Sequence, residues 1–224
     1  MIVAKIDVIG GWGPRAQSEA EIVAASRRML TEMPNQPAGG WVRFVERKGS
    51  HFMDAVPVDI TDVASLASAI ESTSRRGDER ELRINRQAGP EEFPVQVRVR
   101  AGSEHSANRL LVDIDMPGAD SEQAREWITD HMDAMVSAWD PDWLKAGTYQ
   151  FHLAQKDIGL APKQIILGWK TYLSRRVPVD DAALADSVAV TARPEGGRYV
   201  TLAGTVTEPG LDQAAKVRMA LGYG

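Results

Sequence analysis

The residues Gly11-Trp12-Gly13-Pro14-Arg15-Ala16 form the first segment whose types and spacing could do chemistry. Two glycines and a third small residue, placed between a strand and a helix, let backbone N–H groups approach a pyrophosphate. Pro14 removes one of those N–H groups. Ser18 opens the next helix well past the loop, so the helix N-terminus is not aimed at a phosphate held by the glycines. No acidic residue ends a second strand about 20 residues on, where a ribose would be held, and Glu46 comes too late. The preferred reading is a structural glycine turn. A nucleotide-binding enzyme using the loop Gly11 to Ala16 is the alternative.

Other catalytic signatures are missing from the sequence. The four histidines, His51, His105, His131 and His152, show no metal-ligand spacing. His131 shares the apolar side of its segment with Trp127, Ile128 and Met135, as a satisfied core histidine does. There is no Gly-x-Ser-x-Gly elbow and no phosphate loop ending in Gly-Lys-Ser/Thr. The chain has no cysteine, which excludes disulfides, a thiolate nucleophile and thiolate metal ligands. The expectation is a non-enzyme with no cofactor and no metal.

Charge gives a sharper pattern. Glu122, Glu126, Asp130 and Asp133 recur at i, i+4, i+8 and i+11, which places them on one stripe of a helix. Ala124, Trp127, Ile128, His131, Met135 and Ala138 fall on the opposite side. Like charges at i, i+4 repel by a few tenths of a kcal/mol per pair, roughly, and only Arg125 is close enough within the helix to offset them. Trp139-Asp140-Pro141-Asp142-Trp143 follows, with acids beside large aromatics. A solvated helix face and core tryptophans would account for both features. The functional reading is a docking surface for a basic partner, made of Glu122, Glu126, Asp130 and Asp133 with Asp140, Asp142 and Trp143 at its edge.

The elements that must position these residues can be read from periodicity. Residues 2–9 suit a buried strand. Ser18 and Glu21 form a capping-box pattern ahead of a helix that stops at Pro34, and Asn35 to Gly40 is a turn-rich loop. Trp41–Val45 and His51–Val56 read as a hairpin around Lys48-Gly49-Ser50. Asp59 or Thr61 could cap a second helix carrying Val63, Leu66, Ala67 and Ile70 and ended near Gly77. The charged stretch 77–92, with Gly89-Pro90, reads as an exposed loop or boundary. Val95 to Ala101 and Leu110 to Met116 alternate with period two, giving an antiparallel pair with one wet side. A third helix spans about Ser121 to Ala138, strands are expected at Tyr149–Leu153 and near 187–193 and 198–206, and an apolar segment Gln164–Leu173 lies between the first strand and the others. A last helix is expected near 211–221. Paired strands with single helices give the α+β class, a single domain over residues 1–224 with antiparallel sheet flanked by about four helices.

Composition narrows the partners. The chain has 224 residues, 31 acids and 26 bases, a net charge of -5, and 43% hydrophobic residues. That suits a packed core and argues against gripping nucleic acid through a basic face. Residues 111–145 hold nine acids and two bases, so one acidic segment sits in an otherwise near-neutral chain. Lys5 and Asp7 interrupt the first apolar run, and no stretch of roughly 18 apolar residues occurs. The expected location is the cytoplasm, without membrane attachment.

Gly168-Trp169-Lys170-Thr171-Tyr172-Leu173-Ser174 resembles the Gly-Trp-x-x-Tyr-Leu-Ser block of the Immunity protein 52 family. Val177-Pro178, then Gly196-Gly197 ahead of Tyr199 to Leu202, and an amphipathic end from Leu211 to Leu221 extend the likeness over about 60 C-terminal residues. The resemblance implies an α+β immunity protein of a polymorphic toxin system, which protects its producer by binding a cognate toxin, here a nuclease of the restriction-endonuclease-like group. It also implies that Gly168, Trp169, Tyr172, Leu173, Ser174, Gly196 and Gly197 form the fold and do no catalysis. A nuclease presents a basic cleft to phosphates, which agrees with an acidic docking surface. A scaffolding subunit, a homodimer through exposed tryptophans, is the remaining alternative.

Overall fold

The computed structural model describes residues 3–34, 40–49, 51–72, 78–86 and 94–223. Within them β1 (Val3–Trp12) leads into α1 (Glu19–Glu32), then β2 (Trp41–Glu46), β3 (Met53–Val58), α2 (Val63–Ser68), β4 (Ile70–Ser72) and β5 (Arg80–Arg86). Strands β6 (Val95–Ala101) and β7 (Asn108–Pro117) precede α3 (Glu122–Trp139), β8 (Trp143–Gly147) and α4 (Tyr149–Asp157). The chain continues through β9 (Lys170–Leu173), α5 (Asp181–Ala185), β10 (Ala189–Ala192), β11 (Arg198–Thr201) and α6 (Leu211–Ala220). The class is α+β. All eleven strands join one antiparallel sheet in the order β10-β11-β9-β8-β1-β7-β6-β5-β2-β3, with β4 added to β5. Two strands share one flank of β5: Arg80 to Leu82 pair with β4, and Asn85 and Arg86 pair with β2.

Alternation decides the faces. On β1, β5, β6 and β7 the residues Ile6, Val8, Leu82, Ile84, Val97, Val99, Leu110, Val112 and Ile114 are buried on one side, where α1, α2 and α3 pack. Lys5, Asp7, Arg98, Arg100 and Asp113 alternate with them and face the other way. At β8, β9 and β11 both faces are covered. Tyr172 and Tyr199 join the main core, while Leu173 and Val200 join a second cluster with Phe151, Leu184, Ala214 and Val217 of α4, α5 and α6.

The helix starts follow the capping rules. Ser18 and Glu21 complete the capping box of α1, and Asp62, Ser121, Thr148 and Asp180 cap α2, α3, α4 and α5. Six helices stand where about four were expected, the additions being the short α4 and α5. Tyr149–Leu153, read as a strand, is the first part of α4. Thr148 takes the Phe151 N–H at 3.2 Å, and Phe151 and Gln155, four residues apart, point inward. Gln155 is fully buried and satisfies Leu167 twice, accepting its N–H at 3.1 Å and donating to its carbonyl at 2.8 Å. That exchange needs helical geometry at 149–157, and no local pattern signals it. The second helix is capped by Asp62, which accepts the Ala64 N–H at 2.9 Å, and not by Asp59 or Thr61, which bond to each other; it ends at Ser68, and Ile70 already belongs to β4. Within the charged stretch 77–92, residues 80–86 are strand β5, while Gly89-Pro90 lies outside the described residues, as do 35–39 of the turn-rich loop and Ser50 of the hairpin turn.

His131 is fully buried on α3. Its Nδ1 is 2.8 Å from the Trp127 carbonyl, so Nδ1 carries the proton, and Nε2 has no hydrogen-bond partner. Burial, with Arg86 nearby, drives its pKa down to about 4 against the opposing pull of that carbonyl. A lowered histidine pKa means that the unfolded chain takes up the proton first as pH falls. Stability contributed by neutral His131 is therefore complete above about 6.5 and disappears as pH falls to about 4, a loss of about 3 kcal/mol from this group. Urea unfolding of the wild type and of His131→Gln across that window should show a shallower acid slope in the variant. Parallel slopes would exclude His131 as a source of acid lability.

Candidate functional site

The acidic residues singled out in the sequence divide into two physical groups. Glu122, Glu126 and Asp130 stand exposed on the outer side of α3 and make no ion pair or hydrogen bond among the described residues. The inner side of the same helix buries Ala124, Ile128, His131, Met132, Met135 and Trp139. The stripe is thus the wet side of a helix fixed by its core side.

Asp133, Asp140 and Asp142 are engaged within the molecule. Asp133 accepts a hydrogen bond from the Tyr199 hydroxyl at 2.6 Å and pairs with Arg193. Burial first, then Asp133, pushes the Tyr199 phenol well above its ordinary pKa. Burial works against the charge on Arg193, but Glu195, Tyr199 and Asp133 outweigh it and hold the guanidinium above its usual range. Asp140 and Asp142 share Arg176. Its Nη1 donates to Asp140 at 2.8 Å and its Nε to Asp142 at 2.6 Å. The second Asp142 oxygen accepts the Gly13 N–H at 2.9 Å. Asp140 ends α3 in a left-handed conformation with φ +43°, one that aspartate tolerates better than most side chains. Trp143 is half-buried against the second core cluster, and Trp139 stacks on Trp12 with ring centres 5.5 Å apart.

Two shallow clefts flank the exposed stripe and meet at Asp130. One, of about 400 Å³, runs between Glu32 of α1, Asp133 and Arg193. The other, of about 340 Å³, runs between Glu122, Glu126, Trp169 and Lys170. Lys170 donates to the Thr129 hydroxyl at 2.9 Å and lies over the rings of Trp169 and Tyr199. Burial lowers its pKa. Arg176, Arg193, Tyr199 and Lys170 were not picked out from the sequence. Each meets its partner across 34 to 66 positions, and only the sheet order brings them together.

The glycine loop performs structural work. β1 lies between β7 and β8 and is antiparallel to both, unlike the parallel strand of a dinucleotide fold. A Cβ on Gly10 would stand 2.6 Å from Leu144 Cδ1. The Gly13 N–H is occupied by the Asp142 carboxylate, and the start of α1 is closed by its own capping box. Among the described residues no three His, Asp or Glu side chains converge as a metal site.

The motif residues have equally specific neighbours. A Cβ on Gly168 would collide with the Ala146 backbone, so its absence lets the chain cross β8. Ser174 is buried, takes the Arg176 N–H at 3.2 Å and donates its own N–H to the Asp142 carbonyl at 2.9 Å. It thereby seats Arg176 beside the two aspartates. Trp169, Tyr172 and Leu173 are buried, and Tyr172 meets Tyr199 edge to face at 5.7 Å. Gly196 closes the hairpin between β10 and β11 with φ +89°, and Gly197 lies directly against the Tyr172 ring and hydroxyl. Gly197→Ala should therefore destabilise the fold by about 1–3 kcal/mol. The same change made on a Tyr172→Leu background should cost less, because the obstructing ring is gone. A double-mutant cycle by urea unfolding reads the difference, and strict additivity would show that the ring contact does not set the glycine requirement.

No curated protein sequence matches the chain. A solved structure, the Pseudomonas aeruginosa T6SS protein PA0821, is similar with a TM-score of 0.56 at 11% identity, covering 99% of this chain and 73% of that one. At that identity the likeness speaks for the fold. The family model described as Immunity protein 52 matches residues 9–222, nearly the whole length. The chain belongs to the Immunity protein 52 family.

Proposed function

We propose that this chain binds and neutralises a cognate bacterial toxin through the outer side of α3, without catalysis of its own. Family membership over residues 9–222 carries the reading. The similar Pseudomonas structure is of a T6SS protein, which is in keeping with defence against a delivered effector. The contact face we infer is Glu122, Glu126 and Asp130, with Asp133, Asp140, Asp142 and Trp143 at its margin. Glu122, Glu126 and Asp130 have their full charge available to a partner, whereas Arg193 and Arg176 hold the marginal aspartates in fixed positions. The described part of the chain has no helix long and apolar enough to cross a membrane. We take the chain to act as a single domain in the cytoplasm.

The Immunity protein 52 likeness implies a nuclease of the restriction-endonuclease-like group as the toxin, and an acidic surface suits such a partner. Its phosphate-binding cleft presents positive charge, and a ridge of carboxylates complements it and speeds encounter. Nucleic acid is then the toxin's ligand and not a direct ligand of this chain. Neutralisation at cellular concentrations calls for a Kd near or below nanomolar, about -12 kcal/mol.

Glu126→Lys with Asp130→Lys should weaken binding of the toxin encoded beside this chain's gene by about ten-fold or more, chiefly through slower association, and the loss should shrink in high salt. Rescue of cells expressing that toxin should fall in parallel, with the melting temperature unchanged. Undiminished affinity and rescue would remove α3 from the interface while leaving the family's protective role in place.

A further inference from the structure

The half of the sheet that α4, α5 and α6 leave bare carries the opposite charge. Arg83 of β5, Arg98 and Arg100 of β6, and Arg109 of β7 all lie on that face, because they alternate with buried Leu82, Ile84, Val97, Val99 and Leu110. The register sets Arg83 directly opposite Arg98, and Arg100 directly opposite Arg109. Like charges in direct cross-strand pairs destabilise a sheet. Glu81 offsets part of this. Its carboxylate accepts from Arg98 at 2.9 Å and from Arg100 at 2.9 Å, and Glu79 lies 3.4 Å from Arg100. Arg83 and Arg109 are exposed and make no ion pair or hydrogen bond among the described residues. Four guanidinium groups thus lie on this face with two carboxylates, Glu81 and Glu79, which engage only Arg98 and Arg100, in a chain whose net charge is -5.

A cleft of about 580 Å³ adjoins the cluster. Its wall is Phe44 and Met53, 51% and 54% exposed, and its floor includes Asn85 hydrogen-bonded to Gln96 at 3.1 Å. Arg43 with Glu71, and Arg83 with Glu81, also line the cleft, so its own charges balance and the excess positive charge lies at its edge on Arg98, Arg100 and Arg109, beside amides that both donate and accept and an apolar wall. We propose that this face is a second docking surface, which takes an acidic segment of a partner protein that also carries apolar side chains. The seating of Glu81 between Arg98 and Arg100 shows that the forks are arranged to receive carboxylates. Phe44 and Met53 would cover the apolar side chains, and the Asn85–Gln96 pair can meet a peptide backbone.

A long polyanion fits the same face poorly. A second cleft continues across the sheet through Phe44, Asn85 and Gln96, and ends at Asp113 and Asp115. A nucleic-acid backbone that followed this cleft would meet those carboxylates, where Lys5 is already paired to Asp113 at 3.1 Å, within the field of an acidic chain. A short acidic segment meets the arginine end alone.

The test uses the full chain and a fluorescein-labelled peptide of alternating Glu and Leu, with a single-stranded oligothymidylate of matching length as the second probe. Fluorescence anisotropy at low salt should show the peptide binding the wild type. Arg83→Glu with Arg109→Glu should weaken it by about ten-fold or more, with the melting temperature retained. These two arginines make no ion pair or hydrogen bond among the described residues, so the charge reversal breaks no described contact. Should the double reversal nevertheless fail to fold, Arg83→Gln with Arg109→Gln removes the same charges and should show a smaller loss. No binding of the peptide, equal binding by the variants, or tighter binding of the oligonucleotide than of the peptide would each overturn the proposal.

Discussion

Ten consecutive residue pairs between β1 and β7, from Val3 with Pro117 to Trp12 with Asn108, determine what every surface of this protein can be. In that register Ile6, Val8, Val112 and Ile114 face the helices, and Lys5, Asp7, Asp113 and Asp115 face away. A slip of one residue would exchange the two sets and put carboxylates beneath α3. The β6 register on β7 extends the same division to Val97 and Val99 on one side and Arg98 and Arg100 on the other. The apolar seat of α3 and the charged open face are two consequences of one alignment.

Once α3 is seated, its outer side follows from its inner side. Between Ile128, Met132 and Met135 the helix turns His131 and Ala134 inward with the core and leaves Asp130 and Asp133 on the solvent side. Burying an unpaired carboxylate is far more costly than leaving it wet, so acids on that side do not disturb the core. They do repel each other, and the fold relieves this only at one end. Arg193 and Tyr199 hold Asp133, and Arg176 holds Asp140 and Asp142. Both arginines arrive from C-terminal segments beside the motif glycines and Ser174. The motif block therefore acts on the acidic helix indirectly, by positioning the cations that rim it.

Much of this was legible in the sequence wherever the deciding contact is local. Ser18 with Glu21, the alternation in Val95 to Ala101, and the stripe on α3 each express their geometry within a few residues, and each element lies close to where the pattern puts it. The misread segments depend on distant partners. Tyr149–Leu153 alternates like a strand, yet Gln155 must reach Leu167, and only a helix allows it. The charged stretch around β5 looks like a loop because every outward position is polar, and its strand character resides in Leu82 and Ile84 alone. The acids at 133, 140 and 142 looked as available as those at 122, 126 and 130, since nothing near them in the chain announces Arg193 or Arg176.

The uncovered half of the sheet shows what the helices contribute elsewhere. Where α4 closes over β8, Lys145 is almost wholly buried, and burial brings its pKa down to about 8 against the pull of Asp7 and Asp113. Asp7 in turn is raised, burial again being the largest cause. Covering a charged sheet face thus costs solvation that neighbouring opposite charges only partly return. Extending that cover to β5, β6 and β7 would bury Arg98 and Arg100 with Glu79 and Glu81, and Arg83 and Arg109 with no ion pair among the described residues. A helix from within the chain could do this only by bringing its own acids. The face stays open because its charges lack an internal complement, and the same deficit defines what an external partner would have to supply.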